Sequence, residues 1–135
     1  MVFQARAGTG KTVASVINAI ARCNPCWGHV QACIVSPTEV LNAQTAEVVK
    51  ELAQGTGIRV AAAIDRNDPE YSLHAPITAQ ILCVTPGTLL GWCRASRGKR
   101  FIPSPEKIQV CFAISIRPRT VQWVHTVDPR ALRIR

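Results

Sequence analysis

The residues best suited to chemistry form the run Ala5-Arg6-Ala7-Gly8-Thr9-Gly10-Lys11-Thr12. Glycine at positions 8 and 10 allows backbone conformations that bulkier residues resist. The loop can then turn its N–H groups inward around phosphate oxygens. A helix starting at Lys11 points its positive end at the same anion. Lys11 can reach the outer phosphates, and the Thr12 hydroxyl can ligate Mg²⁺. The run follows the pattern G-x-x-x-x-G-K-[ST], except that Ala5 stands at the first glycine.

Such a loop needs a strand before it and a helix after it. Met1–Gln4 is a short apolar start. Lys11–Arg22 carries Val13, Val16, Ile17 and Ile20 at a helical period. Val30–Val35 is a continuous apolar run, expected for a strand buried on both faces. Thr38 can cap a second helix running to about Gln54, with Leu41, Val48, Val49 and Leu52 on its apolar face. Gly55 or Gly57 can end that helix. Ile58–Ile64, Gln80–Val84 and Ile108–Ile114 read as further strands. Thr85-Pro86 predicts another helix start, with Thr as N-cap and Pro first. Strands alternating with helices imply an α/β fold: a parallel sheet with helices on both faces. Ligands bind such sheets beyond the carboxyl ends of the strands.

The 135 residues suggest one domain, and the 47% hydrophobic content can bury a core. No apolar run is long enough for a membrane span. The net charge of +8 is unevenly placed. In residues 1–93, six basic and six acidic residues cancel. Residues 94–135 hold ten basic residues against Glu106 and Asp128. The Arg94–Pro105 stretch reads as a basic loop, suited to polyanions. The six cysteines lie mostly in apolar runs and no secretory segment is evident, so reduced thiols in an intracellular protein are expected. Cys23-x-x-Cys26 with His29 and Cys33 is too cramped for a convincing zinc site.

Two further stretches sharpen the reading. Ser36-Pro37-Thr38-Glu39-Val40-Leu41-Asn42-Ala43-Gln44 resembles motif Ia of the DEAD-box RNA helicases, P-T-R-E-L-x-x-Q. Val84-Thr85-Pro86-Gly87-Thr88 resembles their motif Ib, T-P-G-R. Alanine at position 5 is similar to the superfamily 2 version of the phosphate loop. Thr88, Trp92-Cys93, Phe101-Ile102 and Pro105-x-Lys107-Ile108 resemble the subfamily of nuclear mRNA export, which acts at the nuclear pore.

The resemblance implies a P-loop NTPase of RecA-like fold, incomplete, over residues 1–114, followed by a divergent Arg-rich tail at 115–135. It implies that residues 5–12 hold ATP, with Mg²⁺ on Thr12. It implies that Pro37, Thr38, Thr85, Pro86 and Gly87 touch the RNA backbone without reading its sequence. Implied partners are ATP, RNA and mRNA-export factors, in the nucleus, at the nuclear pore or in the cytoplasm, with no membrane.

The chain also departs from the family pattern. Glu39-Val40 stands where motif Ia has Arg-Glu, and a carboxylate there repels phosphate. Ile114 runs into Ser115-Ile116-Arg117-Pro118 where the family has Asp-Glu-Ala-Asp. The chain starts four residues before the phosphate loop. Its length is expected to leave no room for a second RecA-like domain. With no acids to hold Mg²⁺ and orient water, no catalytic residue is assigned. The expectation is therefore a helicase fragment that does not hydrolyse ATP alone. The alternatives are a non-catalytic nucleotide- and RNA-binding module, or a competitor of the full-length helicase. A different P-loop NTPase, such as a small kinase, fits the motif order less well. Residues 121–127 alternate and could form a strand in place of one expected after motif II.

Overall fold

A computed structural model describes residues 2–5, 9–63, 77–89, 110–116 and 122–126. Six strands and two long helices follow in chain order: β1 (Val2–Ala5), α1 (Lys11–Arg22), β2 (Ala32–Val35), α2 (Glu39–Ala53), β3 (Val60–Ala62), β4 (Ile81–Val84), β5 (Val110–Ile116) and β6 (Gln122–Thr126). Residues 86–89 form a further turn of helix.

The strands make one sheet in the order β1-β6-β5-β2-β4-β3. β5, β2, β4 and β3 run parallel to one another. β6 is antiparallel to both β1 and β5. Five strands therefore run one way and β6 alone opposes them. The parallel α/β architecture expected from the sequence is present, with one reversed strand inserted. Chain order moves outward from β2 to β3 and back from β4 to β5. Right-handed crossovers then put α2 and the 86–89 helix on opposite faces of the sheet.

The core follows these two faces. On one, Val16 and Ala19 of α1 and Ala46 and Val49 of α2 pack over Ile34, Ile81 and Cys83. On the other, Val30, Cys33, Leu82 and Val84 are met by Leu89 and Ile77. Ile34, Ile81 and Leu82 are fully buried, each worth about 1.5–3 kcal/mol over exposure. β2 and β4 are thus the anchor of the sheet.

The helix faces differ in detail from the apolar periodicity. In α1, Val13 and Ile17 are exposed, while Val16 and Ala19 carry the contact. In α2, Leu52 is exposed and small or polar residues fill the buried face: Asn42, Thr45, Ala46, Val49 and Ala53. That face packs against β3, β4 and α1. The α2 helix ends at Ala53, and Gly55 then takes a left-handed conformation, φ 75°. That is the glycine exit the sequence predicts.

At the amino ends of β2 and β4, two buried glutamines hold the 24–27 loop. Gln31 accepts from the Asn24 N–H at 2.8 Å and donates to the Asn24 carbonyl at 2.8 Å. Gln80 accepts from the Arg59 N–H at 2.8 Å and donates to the carbonyls of Pro25 and Trp27 at 3.1 and 2.7 Å. Both amides have partners on nitrogen and on oxygen, so their burial is compensated. Trp27 stacks on His29 just outside, with ring centroids 5.6 Å apart.

Candidate functional site

The candidate residues lie where three co-directional strands end. β1 ends at Ala5, the first residue of the phosphate-loop run. Arg6, Ala7 and Gly8 lie outside the described residues, as does the basic stretch Arg94–Pro105. Gly10 precedes α1 in a left-handed conformation, φ 78°. That conformation favours glycine, and a Cβ there would meet nothing within 4 Å. The carbonyl of Gly10 accepts from Ala14 N at 2.9 Å, so α1 winds directly from the loop. Lys11 and Thr12 form its first turn. Lys11 is 9% exposed and Thr12 half-buried. No acidic residue occupies that turn, which keeps the helix end positive.

β2 leads through buried Ser36 to exposed Pro37 and Thr38. Thr38 caps α2: its Oγ1 accepts from Leu41 N at 3.2 Å. Glu39 occupies the first turn of α2 and is exposed. Its carboxylate stabilises the helix end and opposes any second anion there. β4 leads to Thr85, which is 9% exposed. The Thr85 and Thr88 hydroxyls are 3.1 Å apart, and the Leu89 N–H donates to the Thr85 carbonyl at 3.0 Å. The 86–89 helix therefore starts after Thr85, with Pro86 first and with Pro86 and Gly87 exposed. Both threonines cap helices as the sequence predicts, and a capped helix end is itself an anion site.

The topology sets the spacing. β2 and β4 are adjacent, about 5 Å apart, and Thr38 and Thr85 follow their carboxyl ends by three residues and by one. β1 stands three strand steps from β2, about 14 Å away. Thr38 and Thr85 thus follow neighbouring strands, and the phosphate loop follows a strand three steps away.

One buried polar residue was not singled out by its type or spacing. Asn42, fully buried in α2, donates to the Ala63 and Cys83 carbonyls at 3.3 Å each. A polar residue on an apolar helix face was the available signal. The cysteines are quiet. Burial pushes Cys23 up to about 11. It pushes Cys83 up to about 12, against a smaller opposing pull from Lys50. Neither forms a disulfide.

The DEAD/DEAH box helicase family model matches residues 1–108. The chain belongs to the DEAD/DEAH box helicase family. Among relatives of this DEAD-box chain, the mouse (Mus musculus) ATP-dependent RNA helicase DDX19A is 33% identical over 111 residues. That match covers 82% of this chain and 22% of the relative. The Drosophila melanogaster DEAD-box helicase Dbp80 is 38% identical over 93 residues, covering 68% and 20%. A solved structure of an S. cerevisiae Dbp5 variant bound to RNA and ADP BeF3 superposes with a TM-score of 0.66 and 29% identity. That superposition covers 82% of this chain and 26% of the other. Another Dbp5 structure, bound to Gle1 and IP6, gives 0.68 over 81% and 26%. These relatives belong to the mRNA-export subfamily that Thr85–Cys93 resembles. The DEAD-box chain spans about a fifth of the length of the curated relatives. Among its described residues, no helix is long and apolar enough to cross a membrane. The family match ends at residue 108, so β6 lies outside it.

Proposed function

We propose that this chain is part of an ATP-dependent RNA helicase of the DDX19/Dbp5 kind. It binds ATP phosphates at residues 5–12 and the RNA backbone at Pro37, Thr38, Thr85, Pro86 and Gly87, and does not hydrolyse ATP by itself. The observation that carries the reading is the exit from β1: a left-handed Gly10 and then α1, headed by Lys11 and free of acid in its first turn. That is an anion cradle built from backbone N–H groups and a lysine.

The metal has a partial fit. Mg²⁺ takes about six oxygens and usually keeps several waters. Thr12 supplies one hydroxyl, and phosphate oxygens and water would supply the rest. Bound Mg²⁺ neutralises phosphate charge. The carboxylates that would complete the family's set are replaced by Ser115, Ile116, Arg117 and Pro118. Hydrolysis by this chain is therefore not expected.

The reading assigns residues 1–114 to the helicase-like unit and 115–135 to the divergent tail. Export factors of the kind bound by the solved relatives are the expected protein partners, at the nuclear pore or in the cytoplasm. The decisive experiment is a thermal melt with and without Mg-ATP, repeated with Lys11→Ala. Ligand should raise the melting temperature of the parent and not of the variant. RNA-stimulated hydrolysis that Lys11→Ala abolishes would overturn the non-hydrolytic part. No shift with ligand would overturn the nucleotide site itself.

A further inference from the structure

Asn42 is chemically expensive where it stands. Its side chain is fully buried. Its Nδ2 is shared between the carbonyls of Ala63 and Cys83 at 3.3 Å each. Two carbonyls can only be met by the NH₂ end, so the amide orientation is determined by its acceptors. The Oδ1 is then left without a partner inside the protein. An orphaned buried acceptor destabilises a fold, and an apolar residue would avoid it. Helix stability alone does not explain an asparagine here either, because alanine is the better helix former.

The amide does connect two places. The Asn42 N–H donates to the Thr38 carbonyl at 2.9 Å, one helical turn back. Cys83, whose carbonyl takes the side-chain amide, lies two residues before Thr85. The same Cys83 carbonyl accepts from Ala63 N at 2.9 Å. Asn42 therefore ties the head of α2 to the exits of both β3 and β4. Next to it, Ser36 N donates to the Val84 carbonyl at 3.0 Å, a backbone link between the same two segments. Thr38 and Thr85 end up on helices whose heads share one buried crosslink.

We infer that Asn42 is a positioning residue, which sets the Thr38 and Thr85 helix ends relative to each other so that one RNA backbone segment engages both. The inference rests on the RNA reading proposed above. It adds that the two contacts are one coupled unit, held by a side chain that touches no RNA.

The test uses the full chain and a short single-stranded oligouridylate, with Mg-ATP affinity and melting temperature measured alongside. Asn42→Ala removes the amide and its volume. Asn42→Leu fills the space without the amide. Each should weaken oligouridylate binding about fivefold, as expected for one hydrogen-bonding group. Mg-ATP affinity should stay unchanged, because the phosphate loop is three strands away. In the Asn42→Ala background, the effect of Thr85→Ala should shrink to less than about twofold, the signature of coupling. Additive effects, or an equal fall in Mg-ATP affinity, would overturn the inference in favour of a general structural role. Thr38→Ala and Thr85→Ala that weaken binding while Asn42 variants do not would overturn the coupling alone. Failure of the parent chain to bind oligouridylate would overturn the RNA reading and this inference with it. Should both Asn42 variants fail to fold, the parent decides. Its Asn42 side-chain amide resonances should shift with oligouridylate and not with Mg-ATP, and unmoved resonances would reject the inference.

Discussion

Ala5, the last residue of β1, is paired with Gln122 of β6. The strand that feeds the phosphate loop has no other strand partner among the described residues. Gln122 pairs in turn with Ile116, so β6 bridges β1 to the rest of the sheet. The proposed nucleotide site thus rests on a strand held by a segment outside the family match. Val124 sits mid-strand, opposite Phe3 on one side and Ile114 on the other. Val124→Pro removes a ladder donor and should cost about 2–3 kcal/mol. Mg-ATP stabilisation should vanish with it, while Val124→Thr should retain both. Paired melts of the two variants check this.

Glu39 stands at the head of α2, one residue after the Thr38 cap. Glu39→Gln removes a carboxylate from the proposed RNA contact and should tighten oligouridylate binding about threefold at low salt. The gain should shrink as salt screens the charge. The melting temperature should fall slightly, because the helix loses a favourable first-turn anion. Titrations at two salt concentrations separate these effects.

The buried thiols predict a pH response. An unfolded cysteine ionises near its ordinary value of 9.0, whereas folded Cys23 and Cys83 hold their protons to about 11 and about 12. Above pH 9 the unfolded state therefore binds fewer protons than the folded one. Stability should fall between about pH 9 and 12. Melts at pH 8, 9.5 and 10.5 should show a progressive loss that Cys83→Ala reduces. At pH 8, exposed Cys26 should react with a thiol reagent and Cys83 should not react without unfolding.

Gln80 holds three backbone groups from two loops. Gln80→Leu strands the Arg59 N–H and the Pro25 carbonyl, and should destabilise the chain by about 2–4 kcal/mol. Proteolysis should then begin in the 24–28 loop, read by mass spectrometry of early fragments.

Much of this was legible in the residues. Lys11–Arg22 is a helix at the bounds its period predicts, and Thr38 and Thr85 cap the helices they precede. The short β2 and β4 lie inside their apolar runs. These features are local: cap chemistry, glycine conformation and apolar runs act within a few residues. The exposed Val13 and Ile17 and the buried Asn42 were not legible. Which side of a helix is covered depends on the neighbours it meets, and α1 and α2 partly cover each other.

The sequence by itself determined the phosphate-loop motif, the order of the motifs and the family, because each is written in contiguous residues. Tertiary structure decided that Gln122–Thr126 lies between β1 and β5 and runs against both. Alternation at Val121, Trp123, His125 and Val127 marks a strand but names neither its partners nor its direction. Those are settled by backbone hydrogen bonds between segments more than a hundred residues apart, and by the short link from Ile116 to Gln122, which favours reversal over a crossover.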